Sequence, residues 1–169
     1  VKPGENGRFT RAPYGGGCDL SQGVGATNSC CSIISARTGE RVAEYVTCQL
    51  YPEHFAAKVV ALCRVFKDES GEGAKLAWED PGPGERFGLA VMNMNYSHIH
   101  YREAGQEFKV RPSTRSPGWW PTPRDKALVL SEYRSALINH EVVNRSEEAL
   151  KECLAYRYDE QGRPGHPQD

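Results

Sequence analysis

The sequence predicts an α/β domain built on a mixed sheet, and three observations predict it. Three β-prone segments come first, a long helical period follows them, and strand and helix patterns alternate from there to the C-terminus. That order gives a three-strand antiparallel meander. A later strand, reached through a helical crossover, should run parallel to the first by the usual right-handed connection.

Residues 1–13 read as an irregular lead-in or linker, and residues 14–169 as the domain. "YGGGCDL" supplies the first strand, while "SCCSIISA" and "RVAEYVTCQL" form a hairpin across the glycine-containing turn "RTGE". In "YPEHFAAKVVALCRVFKD", Phe55, Val59, Leu62 and Phe66 recur at helical spacing, and Pro52 stands where a first turn tolerates proline. "AKLAWED" is a short apolar strand ending in two acids and stopped by "PGPG". "ERFGLAVMNMN" has a helical pattern, and "SHIHYRE" reads as a further strand.

Residues 104–121 form a loop rich in basic, proline and glycine residues and ending in Trp119 and Trp120. Thr122 can cap a helix with Pro123 as its first residue and Asp125 in its first turn, leaving Leu130, Tyr133 and Leu137 as the buried stripe. Ser146 caps a last helix, with Leu150, Cys153 and Leu154 expected inward. "AYRYDEQGRPGHPQD" begins a strand and turn that it does not finish, the pattern expected of a piece of a longer protein.

A hydrophobic share of 38% with 25% charged residues suits one ordinary domain core. The net charge of −1 offers no global attraction to nucleic acid or anionic lipid, so either would need a local basic patch. Apolar runs fall well short of the roughly 18 residues of a membrane span, and no membrane association is expected. The six cysteines sit inside apolar patterns, two of them adjacent and none in a CxxC pair. They read as mostly buried thiols of a reducing cytosol rather than as a disulfide scaffold or a zinc site.

Chemistry enters with two acids. Asp19 and Glu79 both fall at the carboxyl ends of strands expected to be parallel, where α/β sheets place their sites. If those strands are neighbours, about 4.8 Å apart, the carboxylates converge and repel unless they share a proton or hold a cation. Hard oxygen ligands suit magnesium or manganese. Two such ions about 3.5–4 Å apart can activate a water and stabilise the leaving oxygen of a phosphodiester. Ser21, Gly23, Gly25 and Ala26 after Asp19, and the glycines of "PGPG" after Glu79, leave room for a polyanion. An Asp at a strand end also serves in turns, and adjacent acids are usually solvated, so spacing leaves both readings open.

The succession "GGGCDLSQGVGATNS", "TGERVAEYV", "PEHFAAKVVALCRVF", "LAWEDPGPGERFG", "GWWPTPRDKALVLSEYRSAL" and "RSEEALKECLAYRYDEQGR" resembles the nuclease domain of phage large terminase subunits, from about residue 14 onward. The resemblance implies an RNase H-like fold and an endonuclease that cuts concatemeric viral DNA with two magnesium or manganese ions. It implies that Asp19 is the first metal-binding acid and Glu79 the second. Asp80 stands where the family often has asparagine. The third acid belongs to a later segment; Asp169 is a candidate, but "GRPGHPQD" looks like the turn preceding that segment, so this ligand is expected to be missing.

Further partners implied are double-stranded DNA, an ATPase domain upstream in the same protein, the portal and the small terminase subunit, all in the host cytoplasm. The chain itself carries no glycine-rich phosphate loop ending in Gly-Lys-Ser/Thr. Local positive charge between Arg102 and Lys126 marks Arg111, Arg115, Arg124 and Lys126 as DNA contacts. Trp119 and Trp120 can stack on bases or sugars, with at least one expected in the core.

Three other readings share these residues: a resolvase- or transposase-like nuclease on the same acids, a catalytically incomplete module that docks DNA or the portal, and a fragment of a sugar-kinase or actin-like phosphate loop, which "DLSQGVGAT" also resembles.

Overall fold

Strict alternation in Ser29–Ser35, where every second side chain is buried, marks a sheet with one face on a core. The computed structural model describes residues 9–102, 116–158 and 164–165. Its elements are β1 (Tyr14–Asp19), β2 (Ser29–Ser35), β3 (Arg41–Thr47), α1 (Pro52–Val65), β4 (Lys75–Trp78), α2 (Pro83–Asn93), α3 (Pro123–Ile138), α4 (Glu147–Ala155), β5 (Arg157–Tyr158) and β6 (Pro164–Gly165). They fall into two units, Val1–Arg37 with Val42–Trp120, and Thr38–Arg41 with Pro121–Asp169.

The first unit holds a sheet of order β3-β2-β1-β4, in which β1 runs antiparallel to β2 and parallel to β4. This is the meander and the crossover strand that the sequence predicts. Both helices of the unit lie on the core face. Phe55, Val59 and Cys63 of α1 and Phe87 and Val91 of α2 join Cys31, Ile33, Leu76 and Trp78 of the strands in one buried cluster. Burying side chains of this size contributes about 1.5–3 kcal/mol each.

The predicted strand "SHIHYRE" is not a regular strand. Leu76 makes a single parallel bridge to Ile99, through Leu76 N to His98 O (2.9 Å) and His100 N to Leu76 O (2.8 Å). Beyond it, the same edge pairs with Trp119 instead, Trp119 N donating to Trp78 O at 2.7 Å. Two short segments share the edge of β4, so neither extends into a ladder.

In the second unit, α3 begins with the cap that the sequence predicts. The Thr122 hydroxyl accepts from Asp125 N at 3.2 Å, and the Asp125 carboxylate accepts from Thr122 N at 3.1 Å. Ser146 caps α4 by accepting from Ala149 N. Glu40 bridges to Val143, and Gly39 at φ +66° lies so close to the Glu141 carbonyl that no Cβ fits there.

Leu130, Tyr133 and Leu137 are half-buried, as a stripe should be, but Leu150, Cys153 and Leu154 are not inward. Leu154 is 77% exposed. Helical period shows which side is apolar, and none of these three is buried by a described element. In the terminal segment, β5 and β6 pair in a two-residue antiparallel ladder.

Candidate metal centre

The site is built by alternation at the ends of two parallel strands. Along β1, Tyr14 and Gly16 are buried and Cys18 hydrogen-bonds Cys31 in the core, so Gly15, Gly17 and Asp19 face the other way. Along β4, Leu76 and Trp78 are buried, which turns Lys75, Ala77 and Glu79 to that same open face. The register pairs Cys18 with Trp78, so Asp19 and Glu79 are the next residues opposite each other. Strand spacing puts their backbones about 4.8 Å apart. Asp19 is also opposite Cys30, and Glu79 bridges to Trp119. Across the end of the sheet the order is therefore Cys30, Asp19, Glu79, Trp119.

The backbone just beyond each acid is anchored. After Asp19 the chain is pinned by a buried serine pair: Ser21 N donates to Ser29 Oγ at 3.0 Å, and the two hydroxyls lie 3.1 Å apart. After Glu79, Asp80 N donates to Trp119 O at 2.8 Å.

The start of α2 packs so tightly here that a Cβ on Gly84 would run into the Glu79 carbonyl. That glycine serves close packing, whereas the sequence reading gave it to polyanion access. Gly82 does have open space around its Cα. Trp78 anchors the whole turn: it is 2% exposed, and its ring meets Phe87 edge-on at 5.5 Å.

Asp80 turns away from the pair. Its Oδ2 lies 3.3 Å from an Arg102 guanidinium nitrogen, and the same guanidinium covers the Trp120 ring at 5.3 Å. Burial raises the Asp80 carboxyl above its ordinary range, against the opposing pull of Arg102. Trp120 is half exposed, Trp119 is half-buried, and the tryptophan in the core is Trp78. The layer beneath the site is a neutral thiol group. Burial pushes Cys18 well up, with a hydrogen bond to Cys31 adding to it, and pushes Cys63 up to about 12.

The donor chemistry fits a hard divalent cation: two carboxylates on an open face, with coordination positions left for water and phosphate oxygen. Among the described residues, no cluster of three or more His, Cys, Asp or Glu side chains could hold a metal ion. Asp169, the candidate third acid, lies outside the described residues, as do Arg111 and Arg115. Arg124 and Lys126 are exposed on the first turn of α3, in the second unit. Sequence reading left Asp80 without a role because its partner is 22 residues away. It also passed over Lys75, although the two-residue period of "KLAWE" sets Lys75 on the face of Glu79.

No protein-family model matches the chain, and no curated protein matches it in sequence. Its fold is that of large terminase nuclease domains, the mixed α/β architecture expected from the sequence. The crystal structure of the large terminase nuclease from thermophilic phage G20c with bound magnesium is similar at a TM-score of 0.70 and 13% identity, over 96% of this chain and 75% of that one. The same nuclease with bound cobalt gives 0.67 and 14%, over 94% and 73%. The Thermus phage P74-26 large terminase nuclease domain gives 0.63 and 14%, over 97% and 78%. Among the described residues, no helix is long and apolar enough to cross a membrane.

Proposed function

We propose that this chain is the nuclease domain of a phage DNA-packaging large terminase, a divalent-cation-dependent endonuclease acting on double-stranded DNA. The observation that carries the reading is the register of Asp19 and Glu79, opposite each other at the carboxyl ends of parallel strands within this fold. Asp19 and Glu79 hold magnesium or manganese through their carboxylate oxygens. A cation bound there supplies positive charge to the phosphate and lowers the pKa of a coordinated water.

The remaining residues position that pair. Ser29 fixes the departure of the chain after Asp19, and Trp78 with Gly84 fixes the turn after Glu79. Arg102 neutralises Asp80 beside the site. A two-metal form of the reaction would need a third acid, for which Asp169 is the candidate in this sequence. Arg111, Arg115, Arg124 and Lys126 contact DNA phosphates without reading sequence. The cut belongs to the processing of concatemeric viral DNA in the host cytoplasm, alongside an upstream ATPase domain, the portal and the small subunit.

One observation favours a second reading, a module that docks DNA or the portal without cutting: the described residues offer two carboxylates and no third. A plasmid-nicking assay in magnesium or manganese separates the two. Metal-dependent nicking that disappears in Asp19→Ala and Glu79→Ala supports the nuclease. Nicking unchanged in both variants refutes this site, and DNA binding without nicking moves the function to docking.

A further inference from the structure

We propose that Lys75 holds a backbone phosphate of the substrate, so that one DNA strand runs along β1 and β4 on the open face toward Asp19 and Glu79. This rests on the nuclease reading and names a contact outside the basic segment picked out by sequence. Lys75 is exposed at the start of β4, and its ammonium makes no ion pair among the described residues. Three other cations of the same unit are engaged elsewhere. Arg37 pairs with Glu69, Arg102 with Asp80, and Arg64 donates to Met94 O.

Position decides the matter. Lys75 shares its face with Ala77 and Glu79, and is opposite Gly15 as Ala77 is opposite Gly17. Four residues at about 3.3 Å each separate it from Glu79 by roughly 13 Å. Among the described residues, a Cβ on Gly15 or Gly17 would meet no atom within 4 Å. A cation at this distance registers the strand without competing for the metal ligands.

The test is the salt dependence of duplex binding by the whole chain in chelator, read by fluorescence anisotropy between about 50 and 200 mM salt. Lys75→Ala should weaken binding equally on unrelated sequences and make the slope of log K against log salt shallower by about one. Lys75→Arg should restore it. Lys58→Ala, which removes an exposed charge from α1, should leave the slope unchanged. A Lys75→Ala slope equal to wild type, or a Lys58→Ala loss as large, overturns the proposal. If nicking still depends on Asp19 and Glu79 in that case, the nuclease reading survives it. Wild-type protein that neither binds nor nicks the duplex removes both.

Discussion

Arg102 reaches the Asp80 carboxylate at 3.3 Å, while the neighbouring Glu79 faces the opposite side of the sheet beside Asp19. Adjacent acids that look alike in sequence thereby stand in different surroundings. Asp80→Asn should leave manganese affinity and nicking close to wild type. Glu79→Gln should lower nicking by about 10²- to 10³-fold, the scale of deleting one electrostatic stabiliser. Equal losses in the two variants would put Asp80 in the metal site.

The raised Asp80 carboxyl has a pH signature of its own. A group whose folded pKa lies above its unfolded value stabilises the fold below the unfolded pKa, about 3.9 for Asp, and loses that contribution as pH rises through the folded pKa. Wild type minus Asp80→Asn stability, from urea unfolding, should therefore decline as pH is raised from about 3.5 to 6. A flat or rising difference would mean that Arg102 outweighs burial.

Gly88 and Gly17 make a matched pair for packing. A Cβ on Gly88 would lie 2.8 Å from Trp78 Cζ2, whereas one on Gly17 would meet nothing within 4 Å. Gly88→Ala should destabilise the chain by about 1–3 kcal/mol. Gly17→Ala should stay within about 0.5 kcal/mol in the same urea titration.

Thiol reactivity should follow burial. Cys153 is exposed and should alkylate first at neutral pH. Cys63, buried and pushed up to about 12, should react only on unfolding. Mass spectrometry of partially alkylated protein checks the order, and early labelling of Cys63 would show that α1 opens from the sheet.

Local signals and the strand order were legible in the sequence, and side-chain packing between distant residues was not. Thr122, Pro123 and Asp125 read as a cap because every partner lies within three residues. The parallel pairing of β1 and β4 followed by rule, since a helical crossover leads to a parallel strand, and Asp19 and Glu79 stand at the ends of those strands. Gly84 and Gly88 were opaque because their reasons, the Glu79 carbonyl and the Trp78 indole, exist only after folding. The outward Leu154 was opaque in the same way, because an apolar period does not name what covers it. "SHIHYRE" has strand propensity, but propensity cannot show that Trp119 takes the rest of the same edge.

The most direct measurement is a calorimetric manganese titration of wild type, Asp19→Asn, Glu79→Gln and the double variant. If both carboxylates grip one ion, each single variant should lose most of the affinity and the double should lose little more, a strongly non-additive cycle. Losses that simply add, or binding that ignores either substitution, would contradict a shared cation.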